Sequence, residues 1–349
     1  MCTAHVVRPH ERGSTTPSTR IARPRGRISA EIIRALTEFR PGTTTFTEEL
    51  GSADPLGDDV QLGLHLCYEL HYRGVGGADP DWEWDPALLR HRGELEWAFE
   101  CTLRGQTTGD CDADAAMDAV SVEFIDEPGL SHYLRDDATW SQLREFFAIR
   151  SIYHLKEADP HAWVIPRLRG AAKAALVAVE FDEYGSGRPE RMHSTLFANL
   201  LRAAELDDTY LGYLDQVPAE SLAAVNFMSL CGLHRRLRGA LVGLFAASEI
   251  TTAPAARRTV QALERLGAPT DCVRFYAEHI EADAVHEQIL RHNVVGEMLA
   301  AEPALAEDVV FGIEASSWLE NQLAQRMMTS WCRGESSLLT VAPPTTIGT

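Results

Sequence analysis

Several things are scarce in this chain, and each shortage narrows what it can be. Its seven cysteines (Cys2, Cys67, Cys101, Cys111, Cys231, Cys272 and Cys332) are odd in number and widely scattered, with no Cys-x-x-Cys pair. That argues against a disulfide framework and for a reducing, cytoplasmic setting. No apolar run approaches the ~18 residues a membrane-spanning helix needs. The first 27 residues hold Arg, Pro, Thr and Ser without an apolar stretch, so no secretory signal is expected there. Lysine is nearly missing: of 32 basic residues only Lys156 and Lys173 are lysines. With so much alanine, that bias reads as GC-rich coding rather than function. Convincing period-two alternation is also missing, which leaves little room for a β architecture.

Charge of one sign is short as well. The chain carries a net charge of −19, yet residues 1–27 hold six Arg (8, 12, 20, 23, 25, 27) against Glu11 alone. Taking that arm's +5 from −19 leaves −24 for the body. An acidic body lacks the basic footprint nucleic acid requires, so neither nucleic acid nor a membrane is an expected partner. The arm itself, 1–27, is expected to be a disordered, solvated tail.

What is present is helical periodicity. At 349 residues and 45% hydrophobic content, the chain can bury one large core or two smaller ones. Asp58–Tyr72 has helically spaced apolar residues and Gly74 as a stop. Asp85-Pro86 supplies an N-cap and first-turn proline for a helix through Leu103. Thr139-Trp-Ser-Gln142 fits a capping box for a helix to about Lys156. Further helices are expected over 166–181, 189–206, 219–249 (with a break near Cys231-Gly232), 253–266, 269–292 and 304–333. The architecture is all-α: an N-terminal helical subdomain at 28–137, a helical bundle at 138–333 and a disordered tail at 334–349.

The segment His279-Ile-Glu-Ala-Asp283-Ala-Val-His286 carries the most chemistry. His, Asp and His fall at i, i+4 and i+7, on one face of a helix. Two imidazoles and a carboxylate suit ferrous iron, manganese or zinc; the same face, taken alone, is equally a solvated polar stripe. Partners on other helices decide between the two. In Glu180-Phe-Asp-Glu183-Tyr-Gly-Ser-Gly-Arg-Pro-Glu190-Arg-Met-His193, two glycines and a proline disfavour a continuous helix. Glu183 is expected to end one helix and His193 to sit one turn into the next, capped at Ser186 or Gly187. Glu249 ends a long apolar stretch, where a carboxylate is unfavourable against the helix dipole unless paired or metal-bound. Glu157, with His154 one turn back, is a weaker candidate that also reads as a solvated helix end.

Over about residues 140–333 these residues resemble the haem-oxygenase-like di-iron oxidases, the iron-containing redox enzymes. The order of Glu183, His193, Glu249 and then His279-x3-Asp283-x2-His286 is similar to that family's signature, and the carboxylate ten residues before His193 and the Glu at 157 resemble its N-oxygenating branch. Other members place the first carboxylate three or seven positions before the histidine, so Glu190 competes with Glu183. The resemblance implies a haem-oxygenase-like bundle holding two Fe(II) per chain with O2 as co-substrate. The ligands it implies are Glu183, His193, Glu249, His279, Asp283 and His286, with Glu249 or Glu183 bridging. Glu157 would be a further ligand to a labile second iron or a group orienting one. The activity it implies is O2-dependent N-oxygenation of a small amine, an amino-heterocycle such as 2-aminoimidazole or an amino acid, to a hydroxylamine or nitro product in natural-product biosynthesis. An external electron donor or reductase and a homodimer built on the N-terminal subdomain complete that expectation. Oxidative C–C or C–H cleavage of an amino or fatty acid is the alternative within the class, and a non-catalytic iron-binding helical protein the alternative outside it. Tyr153, Tyr184, Phe181, Met192 and Arg235 are candidate pocket residues, expected within a turn or two of the ligands.

Overall fold

The helix punctuation written in the sequence organises the chain in the computed structural model, which describes residues 21–48, 50–122 and 129–340. The helices are α1 (Arg27–Glu38), α2 (Asp58–Glu69), α3 (Pro86–Arg104), α4 (Ala113–Ser121), α5 (Leu130–Asp136), α6 (Trp140–His154) and α7 (Asp159–Ala162). They continue as α8 (Gly170–Glu183), α9 (His193–Ala203), α10 (Ala219–Leu233), α11 (Arg238–Arg265), α12 (Thr270–Gln288), α13 (Glu297–Ala301) and α14 (Ala306–Cys332). No strand occurs among the described residues, as the absence of period-two patterning predicts.

The predicted caps do the stopping and starting. The Asp85 carboxylate accepts from the Leu88 amide at 2.8 Å with Pro86 opening α3. Thr139 and Gln142 close the expected capping box on α6. Gly74, at φ +77°, returns its amide to the Glu69 carbonyl and ends the α2 region.

α11 is the axis of the bundle, packed along α12 and α14. Gly243 lies against the Val309 backbone and Gly312 against the Ala240 backbone; an added Cβ at either position would collide with main-chain atoms. These two glycines let α11 and α14 cross at close range. The sequence reading broke this segment at Glu249 and restarted it at 253, but the helix runs unbroken through Pro254. Proline removes one amide donor, and burial of α11 between its neighbours offsets that loss. By length and composition one helical stretch, Arg235–Arg265, is apolar enough to cross a membrane, contrary to the sequence reading, but 67% of its apolar window is buried inside the protein.

Past Gln288 the α12 helix widens into a π-helical segment, Ile289–Gly296, before α13. The sequence gives no sign of this widening, which comes just after His286.

The expected division at 136–138 does not separate two cores. Buried residues from Ala22 to Trp331 form one continuous cluster, with α2 packed on α10. Parts of both segments expected to be disordered are instead held in place. Residues 1–20 lie outside the described residues, but the Arg25 guanidinium donates to the carbonyls of Leu214 and Val217 at 2.6 and 2.8 Å and pairs with Asp58. At the other end Ser337 is buried, its amide and hydroxyl donate to Glu145, and the Leu339 amide reaches the Gln216 carbonyl at 2.7 Å. Each segment satisfies otherwise orphaned polar groups, a pairing that composition does not reveal. Residues 341–349 lie outside the described residues.

Candidate metal centre

Six of the candidate ligands come together as two groups of three. Glu157, His193 and His279 form one, and Glu183, Glu249 and His286 the other; within each, the ligand atoms lie within 4.8 Å of one another. All six side chains are buried. Asp283 belongs to α12, but its side chain lies outside the described residues.

The first group is assembled from three elements. Glu157 follows the end of α6, in the turn before α7. Its Oε1 lies 3.7 Å from His279 Nε2, and its Oε2 lies 3.0 Å from His154 Nδ1. His279 Nδ1 is 2.8 Å from the Phe275 carbonyl one turn back. A carbonyl only accepts, so Nδ1 carries the proton and the Nε2 lone pair faces Glu157. The His193 and His279 rings sit 4.4 Å apart. Burial alone would raise the Glu157 pKa, but the charge and hydrogen bond of His154 hold the carboxyl well below its usual range. It is therefore an ionised oxygen donor at neutral pH.

The second group joins α8, α11 and α12. His286 Nδ1 lies 3.3 Å from Glu249 Oε2 and 3.5 Å from Glu183 Oε1, while its Nε2 faces Asp182 Oδ2 at 3.5 Å. Glu249 sits inside α11, not at a helix end, so the dipole argument drawn from the sequence does not apply to it. Its burial beside His286 carries the point instead.

Glu183 connects the groups. Its Oε1 faces His286, and its Oε2 is 2.8 Å from His193 Nδ1. Burial would lower the His193 pKa, yet the charge and hydrogen bond of Glu183 raise it. The approach of Glu183 to His193 depends on the bend between α8 and α9. Gly185 adopts φ +71°, and a Cβ there would lie 2.6 Å from the Met192 amide nitrogen. Only glycine fits, because the chain turns left-handed and folds back on its own backbone. His193 is the first residue of α9, preceded by Met192, so neither Ser186 nor Gly187 is the cap. Glu190, the competing carboxylate, is exposed in the Pro189–Arg191 turn.

Of the candidate pocket residues, Phe181 and Arg235 are exposed, while Tyr153, Tyr184 and Met192 are partly buried. The Tyr153 ring lies 5.2 Å from that of His154 and 6.0 Å from that of His161, and burial first, then the charges of Glu157, Glu183, Glu249 and Glu180, raise its pKa. Tyr184 donates to Asp159 at 2.9 Å. Sequence reasoning passed over Glu180, His161 and the pairing of Asp182 with His286. Glu180 had a signal, since it precedes Glu183 by one helical turn.

The donor set fits iron. Each group offers imidazole nitrogen and carboxylate oxygen, the mixture that ferrous iron accepts while keeping positions open. Glu183, with one oxygen toward each group, is placed to serve both. His154, Phe275 and Asp182 orient the ligands from behind, as partners of metal-bound groups do.

Comparison with known proteins agrees with this geometry. Residues 144–321 match the family described as iron-containing redox enzyme. A nitrosourea synthase from Streptomyces achromogenes subsp. streptozoticus is 27% identical over 161 residues, which are 46% of this chain and 34% of that protein. The chain thus spans about a third of the length of the curated relative it matches. The matched region contains every candidate ligand from Glu157 to His286, and the chain belongs to the iron-containing redox enzyme family.

Proposed function

We propose that this chain is a non-haem di-iron N-oxygenase acting on a small amine. The observation that carries the reading is the pair of three-residue ligand groups shared through Glu183. Glu157, His193 and His279 would hold one Fe(II), Glu183, Glu249 and His286 the other, with Asp283 from the same helix as a further ligand. Bound there, the iron would supply the redox chemistry that activates O2. One oxygen atom goes to the substrate nitrogen, converting an amine to a hydroxylamine. The other leaves as water, taking two protons and two electrons from an external reductant. Repetition leads to nitroso and nitro products.

The chain's own residues set the conditions. Burial of all six ligand side chains limits their contact with bulk water. The Phe275 carbonyl keeps the His279 proton on Nδ1 and its Nε2 available. His154 and Asp182 keep Glu157 and His286 in place. Similarity to a nitrosourea synthase, whose name denotes a product with an oxidised nitrogen, supports nitrogen rather than carbon as the atom oxidised.

The test is to load the metal-free protein with Fe(II) under nitrogen, admit O2 with a reductant and 2-aminoimidazole or free amino acids, and analyse products by mass spectrometry. A mass gain of oxygen on nitrogen, lost in His279→Ala, is expected. Carbon-cleavage products would favour oxidative C–C or C–H cleavage, and iron uptake without O2 consumption would favour iron binding alone. A homodimer is part of the same proposal and is checked by sedimentation.

A further inference from the structure

Two buried side chains beside the ligands lie outside both three-residue groups. Glu180 shares the buried face of α8 with Glu183 and is 2% exposed, and neither of its carboxylate oxygens has a hydrogen-bond partner among the described residues. His161, in α7, is 1% exposed, and neither ring nitrogen has one either. Buried polar groups in folded proteins are almost always paired, because an unpaired one forfeits its hydration without return. Two such groups flanking one metal centre point to a ligand. Neither belongs to the three-residue groups.

Their surroundings say what the ligand is. The carboxylates that act on Glu180 are Glu183, Glu249 and Asp159, so its neighbourhood is acidic. Burial first, and then those three charges, push its pKa up to about 9. Burial is the largest of these causes, so Glu180 keeps its proton while no cation is bound; a cation bound against it would offset the burial cost and displace that proton, leaving two acceptor oxygens. His161 is held flat against Phe245, ring centroids 4.0 Å apart at 19°, with Tyr153 6.0 Å away. Burial holds its pKa down at about 4, so the ring is neutral, with one lone pair and one N–H. Tyr184, next to Glu183, donates to Asp159 at 2.9 Å, which holds α7 and its His161 against the end of α8 that carries Glu180 and Glu183.

We propose that Glu180 and His161 form a recognition subsite for the positively charged nitrogen of the substrate, an ammonium or guanidinium-type group held beside Glu183. The carboxylate of Glu180 takes the cation's N–H groups, and the neutral ring of His161 accepts one more without adding a competing charge. An anionic substrate such as a fatty acid would gain nothing from Glu180 and would enter a neighbourhood made acidic by Glu183, Glu249 and Asp159. This subsite rests on the amine-oxidation reading and names the charge class that reading leaves open.

The test is calorimetric titration of the Fe(II)-loaded protein, kept free of O2, with methylammonium and with guanidinium. Methanol and urea serve as their neutral counterparts. The wild type is expected to bind at least one of the two cations and neither neutral compound. Glu180→Gln, close in shape, should weaken that binding by about tenfold or more, as loss of a charged partner does, while keeping both irons and the wild-type circular dichroism. His161→Phe, which keeps the stack on Phe245, should weaken it less. Three results would overturn the proposal: no cation binding by the wild type, undiminished binding by Glu180→Gln, or loss of an iron from that variant, which would make Glu180 a ligand. A wild type that binds these cations but oxidises no amine would instead defeat the amine-oxidation reading and leave the subsite standing.

Discussion

Lys156 and Glu69 form an ion pair with both side chains fully buried, and it ties α2 to the residue next to Glu157. The second Glu69 oxygen accepts from Tyr210 at 2.6 Å, and the Lys156 ammonium lies 4.3 Å from the Tyr72 ring centroid. Arg73 adds a hydrogen bond to the Leu155 carbonyl at 2.9 Å. Residues from the N-terminal third, outside the family match, thus fix the turn that presents Glu157.

Removing one partner of that pair leaves the other charge buried. Lys156→Met is expected to destabilise the fold by about 3–5 kcal/mol, and the double variant Lys156→Met/Glu69→Leu to recover much of it. Chemical denaturation of the two variants checks this. If the double variant is no more stable than the single one, the cost does not come from an unpaired Glu69.

The two ligand groups should be separable by mutation. His279→Ala and His286→Ala are each expected to hold about one metal ion per chain instead of about two, because each histidine belongs to one group. Glu183→Ala should weaken both positions, since its two oxygens face His193 and His286 separately. Metal analysis after desalting, on the three variants side by side, gives the answer. Full occupancy in Glu183→Ala would remove its bridging position.

The pH dependence of the metal-free protein should carry the mark of Glu180. Its carboxyl titrates at the ordinary 4.5 when unfolded and at about 9 in the fold. Between those values the unfolded chain has released a proton that the folded chain keeps. Stability therefore falls as pH rises through that window, with the full loss reached near the upper value. Glu180→Gln removes the slope. Melting temperatures of variant and wild type should coincide near the ordinary carboxylate pKa and diverge, the variant higher, toward alkaline pH. Parallel curves would mean that Glu180 is ionised in the fold.

The crossing of α11 and α14 should not tolerate a methyl group. Gly243→Ala and Gly312→Ala place a Cβ against the main chain of Val309 and of Ala240. Each is expected to cost about 1–3 kcal/mol or more, because backbone cannot move aside as a side chain does. Gly93→Ala, where nothing lies within 4 Å, is the control and should be neutral or slightly stabilising within a helix. Urea midpoints of the three variants decide it.

What could be read in advance follows the range of the interactions. The all-α class, the caps at Asp85 and Thr139 and the shared face of His279 and His286 depend on residues within two helical turns of one another, so local sequence determined them. The Gly185 bend was legible as a break because glycine and proline act on their own backbone. That the bend closes a 2.8 Å contact between Glu183 and His193 was not, since it depends on how α8 and α9 pack. Glu249 was chosen as a ligand candidate for being at a helix end, yet it lies within a helix that continues past Pro254. Burial of α11 between α12 and α14 overrides the local preference of proline, and no window of sequence contains that burial.

The choice of Glu183 over Glu190 belongs to tertiary structure for the same reason, as does the sorting of ligands into two groups. Sequence listed donors in order along the chain, whereas a metal site needs donors in order around a point. Helices distant in sequence set those angles when they pack, and the unpaired oxygens of Glu180 become visible only once the space around them has been enclosed.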